Sequence, residues 1–161
     1  MSTTSKQKIN PFDLANTAHK SSDLAENVQN LTEVLSLMLG SLSGRENAVL
    51  DKAILRVYKN AKGAQPILKD LYDELLRLKQ TELCARLEKY ITGSLAKVFN
   101  AQTNIKLDNR LVIFDIKDLP KNLWQIMMVI LSNFVSNQVK AHPDKRLLII
   151  DEGWLLLEKE E

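Results

Sequence analysis

Two adjacent carboxylates, Asp151 and Glu152, are the residues of this chain best suited to chemistry. They lie in the stretch RLLIIDEGWLLL, residues 146–157, where an apolar run leads straight into the acids. A carboxylate at the end of a buried strand can help hold Mg2+, a hard cation that prefers oxygen ligands. A glutamate beside it can polarise a water molecule as general base. In that arrangement Asp151 is the metal-side acid and Glu152 the catalytic base of a phosphoryl-transfer site. The pair also suits a structural task. Acids at a helix start are favoured by the helix dipole, and the apolar stretch from Trp154 onward is fit to be that helix.

A nucleotide site also needs a loop that holds phosphates, of the pattern G-x-x-x-x-G-K-[ST]. No stretch of the 161 residues fits it. The nearest, Gly40-Ser41-Leu42-Ser43-Gly44-Arg45-Glu46, has three residues between its glycines, Arg in place of Lys and Glu in place of Ser or Thr. It also joins two helical stretches, whereas the loop must follow a strand. Zinc chemistry is excluded as well, because His19, His142 and the only cysteine, Cys84, are far apart in sequence. One thiol forms no internal disulfide and fits a cytoplasmic home. A net charge of +2 is too small to argue for nucleic acid or an anionic membrane. No apolar run approaches the ~18 residues of a membrane span, so no transmembrane segment is expected. The start, MSTTSKQKIN, has no apolar core of a secretory signal. Lys52, Arg56, Lys59 and Lys62 recur at helical spacing. They would make a partner or DNA face, or a solvated face interrupted by the acids Glu46 and Asp51.

The elements that must position Asp151 and Glu152 are read from periodicity. Residues 1–8 read as a disordered tail and 9–21, starting INPFD, as a turn at the edge of a core. Residues 22–92 read as four helices in a row. Their stripes are Leu24, Val28, Leu31, Leu35 and Leu39; Leu50, Ala53, Ile54 and Val57; Leu68, Leu71 and Leu75; and Leu83, Leu87 and Ile91. Ser43 and Glu46 have the spacing of a capping box. From about residue 104 the grammar changes. Residues 110–116, RLVIFDI, and 146–150, RLLII, are continuous apolar runs, which mark strands covered on both faces. Between them lies one wide-striped helix with Leu123, Trp124, Met127, Ile130, Leu131 and Phe134. Strand, helix, strand is a βαβ unit with parallel strands and a right-handed crossover. Such a unit puts Asp151 and Glu152 at the carboxyl end of its second strand, where open α/β sheets bind ligands. Asp115 ends the first strand, either near that site or in a turn. The expected fold class is α/β, mostly helical.

Four stretches resemble the ATPases of type IV secretion and conjugative DNA transfer, the CagE–TrbE–VirB class. They are INPFD at 9–13, GSLAKVFNAQTNIKLDNR at 93–110, LVIFDIKDL at 111–119 and RLLIIDEGWLLL at 146–157, in matching order. The resemblance implies a RecA-like P-loop NTPase core, related to the FtsK and HerA pumps, here incomplete. It implies a helical insert at 22–92 and a partial nucleotide-hydrolase core at 93–161. It places the phosphate loop upstream of INPFD, outside this chain. It implies ATP and Mg2+ as cofactors of the parent protein, Asp151 on the metal side and Glu152 as base, and no cofactor for the isolated chain, which is expected to be inactive. It further implies a homo-oligomer working with other secretion or conjugation components, in the cytoplasm at the inner face of a membrane channel. Direct nucleic-acid binding stays open. The alternative is a non-enzymatic helical interaction or scaffold module that binds no nucleotide.

Overall fold

The computed structural model describes residues 6–13, 21–61, 65–141 and 145–153. Four expectations fall outside them: the tail at 1–5, the basic residue Lys62, the break at 142–144 and the helix from Trp154. The described chain is mostly helical. Its elements are α1 (Ser21–Leu39), α2 (Gly44–Asn60), α3 (Leu68–Arg77), α4 (Thr81–Ile91), the single turn α5 (Ala96–Phe99) and α6 (Trp124–Ala141), the last preceded by a 3-10 turn at Lys121–Leu123.

Local chemistry explains most of the boundaries. Gly40 follows α1 at φ 76°, a left-handed geometry open to glycine at little cost, and its N–H closes on Ser36 O at 2.9 Å. Ser43 caps α2. Its hydroxyl accepts from the Glu46 N–H at 3.2 Å, and the Glu46 carboxylate accepts from the Ser43 N–H at 2.7 Å. The Asp70 carboxylate accepts from the Ile67 N–H at the start of α3. Gly93 ends the turn after α4 because a Cβ there would sit 2.8 Å from the Lys89 backbone.

The apolar stripes then decide the packing. α1 packs on α2, α2 on α3, α3 on α4, and α4 returns to α1, so the first four helices close into a bundle. Val28, Leu31, Leu35, Leu50, Ile54, Leu71, Leu75, Leu83 and Leu87 fill it. Tyr90 is buried with them; its hydroxyl donates to Met38 O at 3.1 Å, and its ring meets Phe99 edge to face. α6 lies on α1. Its apolar stripe of Ile126, Met127, Ile130 and Phe134 is spent on that contact, not on the sheet expected beneath it.

No strand forms among the described residues, so the expected βαβ unit is absent there. Residues 104–116 are extended but pair with no neighbour. Their burial alternates: Ile105, Leu107, Val112, Phe114 and Ile116 are half-buried, while Lys106, Leu111, Ile113 and Asp115 are exposed. Phe114 meets Phe134 of α6 edge to face. Residues 145–150 are exposed along their whole length. The reason is that a strand is a property of a pair. Its backbone groups need a neighbour's groups, and apolar runs of this kind also need a layer on each face. Residues 105–116 find one layer, the helices. Residues 145–150 find none.

Candidate functional site

The acidic pair stands at the end of the exposed run 145–150. Asp151 and Glu152 form a turn, and both are exposed. Asp151 Oδ1 accepts the Glu152 N–H at 3.0 Å. Glu152 has φ 56°, a left-handed conformation uncommon for a residue with a side chain. Gly153 is not forced by sterics. A Cβ there would meet only the Ile150 side chain, at an ordinary 3.7 Å.

The donor chemistry of the pair suits Mg2+, and two carboxylates with water and nucleotide phosphates would complete its oxygen shell. The chain's described residues supply no more than that pair. Among them, no three of His, Cys, Asp and Glu come close enough to hold a metal. Asp115, the other acid weighed for this site, makes a turn instead: its Oδ1 accepts the Lys117 N–H at 2.9 Å, and that bond holds its carboxyl below the usual range. An open cleft of about 390 Å3 lies elsewhere, between Ser43, Glu46, Lys79 and Thr81, and none of the expected site residues lines it.

The most densely connected polar group is one that sequence reasoning only half found. INPFD, residues 9–13, binds five elements together. Asn10 is buried, and its side chain donates to Pro66 O at 2.6 Å and accepts the Phe12 N–H at 3.1 Å. Its own N–H donates to the Thr103 hydroxyl at 2.6 Å. Tyr58 of α2 donates to Phe12 O at 3.0 Å, and Asn137 of α6 donates to Asp13 O at 2.9 Å and to Asn27 of α1 at 3.4 Å. Phe12 itself is fully buried against Tyr58. Burial pushes the Asp13 carboxyl up, and bonds from Thr103 and Asn10 only partly counter this. The Asn-Pro turn and the buriable Ile9 and Phe12 were legible. The partners on α1, α2 and α6 were not, because each lies far away in sequence.

The basic stripe dissolves on inspection. Lys52, Arg56 and Lys59 are exposed on α2, but Arg56 points to Glu74 of α3 at 3.4 Å. Arg77 joins the same carboxylate at 2.6 Å. Arg86, expected to be an exposed helix pair, is half-buried. It donates to Leu39 O and Ser41 O at 3.1 Å and pairs with Glu46, tying α4 to the turn after α1. Cys84 is buried, and burial raises its thiol.

A helical bundle with one further helix and a trailing apolar run that ends in two acids is the class the geometry defines. No protein-family model matches the chain, and no curated protein matches it. Among solved structures, VirB4 of Thermoanaerobacter pseudethanolicus is similar in fold, with a TM-score of 0.80 and 23% sequence identity. The likeness covers 94% of this chain and 65% of that one, so the chain spans about two thirds of its neighbour's length. The chain therefore has the fold of a part of VirB4. No described helix is long and apolar enough to cross a membrane.

Proposed function

We propose that this chain is the helical insert and acidic strand end of an ATP-hydrolysing motor that energises type IV secretion or conjugative DNA transfer. The observation that carries the reading is the fold likeness to VirB4 over nearly the whole chain. The four matching stretches support it, and RLLIIDEGWLLL stands among them. In the assembled motor, Asp151 sits on the magnesium side and Glu152 takes a proton from the attacking water. The phosphate loop comes from polypeptide outside residues 1–161. Without its backbone amides and lysine, the strongest electrostatic terms of phosphoryl transfer are missing, and the isolated chain is inactive. The motor works as a homo-oligomer with other secretion components.

The test is Glu152→Gln in the longer polypeptide that joins residues 1–161 to a phosphate loop. General-base catalysis contributes about 10^2 to 10^4 in rate, so magnesium-dependent ATP hydrolysis falls by at least ~100-fold. Thermal unfolding stays unchanged, because Glu152 is exposed. Hydrolysis that survives the substitution refutes the role. One observation favours the second reading, a helical scaffold without nucleotide: Asp151 and Glu152 meet no further acid or cysteine among the described residues. That reading expects secretion or transfer to persist in both Asp151→Asn and Glu152→Gln.

A further inference from the structure

Residues 110–115 and 146–151 carry one pattern, R-L-V-I-F-D and R-L-L-I-I-D. Each opens on Arg, closes on Asp and holds four apolar residues between. Neither pairs with a strand among the described residues. Leu111 and Ile113 are 76% and 77% exposed, and Leu147, Leu148, Ile149 and Ile150 are 84%, 55%, 81% and 40% exposed. That equals about four fully exposed aliphatic residues. At roughly 100 Å2 for each such side chain, the surface is on the order of 400 Å2. Exposed apolar patches of a few hundred Å2 mark interaction surfaces.

Charge order decides how the two runs can meet. Set parallel, they put Arg110 beside Arg146 and Asp115 beside Asp151, and like charges across a strand pair are destabilising. Set antiparallel, they put Arg110 opposite Asp151 and Asp115 opposite Arg146, with apolar residues facing along the whole length. Within one chain, a helical crossover such as α6 favours the parallel arrangement. The antiparallel partner is therefore supplied by another molecule.

We propose that two copies of this chain associate by reciprocal strand exchange, residues 146–151 of each pairing antiparallel with residues 110–115 of the other. The contact is self-complementary, so it closes on a two-fold axis. Two copies contribute about 800 Å2 of apolar area. At the ~65% apolar share of homodimer interfaces, the total is about 1,200 Å2, the lower bound for a stable specific interface. The first run is held for this role by Phe114, which is packed on Phe134. The proposal needs no nucleotide and stands apart from the catalytic reading.

The test is size-exclusion chromatography with light scattering on residues 1–161. The expected mass is twice 18.3 kDa. Ile113→Lys and Ile149→Lys, at exposed positions that leave the bundle intact, each weaken the dimer by at least ~10-fold. Arg110→Asp and Asp151→Arg weaken it singly and restore it together, which nonspecific apolar clumping would not do. A wild-type monomer across the working range would assign these edges to the third of the VirB4 fold that this chain lacks, and would overturn the proposal. Association indifferent to the charge exchange would overturn it equally.

Discussion

Replacing Asn10 by Ala tests whether the INPFD turn holds the fold together. Asn10 is 2% exposed, and its side chain serves two backbone groups, Pro66 O at 2.6 Å and the Phe12 N–H at 3.1 Å. Ala removes both partners and supplies no replacement. Each buried backbone group left unpaired costs about 1–3 kcal/mol. Water entering the small gap would relieve part of this, so about 2–5 kcal/mol is expected. That is a large share of the ~5–15 kcal/mol by which a domain is stable. With a urea slope near 2 kcal/mol/M, the midpoint falls by about 1–2 M. Equilibrium urea unfolding followed by far-UV circular dichroism measures it. Asn104→Ala is the control. Asn104 is exposed, and its side chain bonds only to Lys6 O and Lys8 N–H, so the loss should stay under about 1 kcal/mol. An Asn10→Ala midpoint within ~0.3 M of wild type, at unchanged slope, would refute the reasoning.

The same turn yields a pH prediction. The Asp13 carboxyl is raised above its ordinary value of 3.8, chiefly by burial. A raised folded-state value means that the native state binds the proton more tightly than the unfolded chain. The resulting stability is fully present below the unfolded value and is lost as pH rises through the folded one. Asp13→Asn abolishes that loss, so the variant's unfolding midpoint changes less than the wild type's between mildly acidic and neutral pH. Parallel pH profiles would contradict this. Tyr58→Phe leaves Phe12 O without its donor and costs about 1–2 kcal/mol in urea unfolding; a neutral effect would mean that water replaces the hydroxyl. The two glycines make a contrasting pair. Gly93→Ala drives a Cβ to 2.8 Å from the Lys89 backbone and should lower the melting temperature by several degrees, whereas Gly153→Ala meets only ordinary contacts and should leave it unchanged.

Helices were legible because their signals are local. The stripe of Leu50, Ala53, Ile54 and Val57 names the buried face of α2, and Ser43 with Glu46 names its first turn. Both hold whatever the helix packs against. The turn at Asn10 was half legible: Pro11 and the buriable flanks announce a bend, but nothing nearby in sequence names Tyr58, Thr103 or Asn137 as its partners. The acidic pair was legible as chemistry and not as geometry, since its position depends on a run that has no neighbour.

The two apolar runs show where sequence reasoning stops. Continuous apolarity at 110–116 and 146–150 states that these residues need cover on both faces; it does not name what provides the cover. In residues 105–116 the helices provide half, and the exposure pattern records this as a strict alternation between covered and open positions. Residues 145–150 show no alternation, which is the pattern of a segment with no layer on either side. A strand therefore differs from a helix in kind. A helix satisfies its own backbone and asks only for one apolar contact, so its sequence suffices to place it. A strand asks for two neighbours and two layers, and Glu152 can take up a catalytic position only once those have arrived. Urea unfolding of residues 1–161 should accordingly report the helical bundle alone. Leu148→Ser, at an exposed position in the second run, should move the midpoint by less than about 0.5 kcal/mol when measured below the concentration at which copies associate. A loss of 2 kcal/mol or more would show that the run is already buried in the monomer, and the account of the missing strands given above would fail.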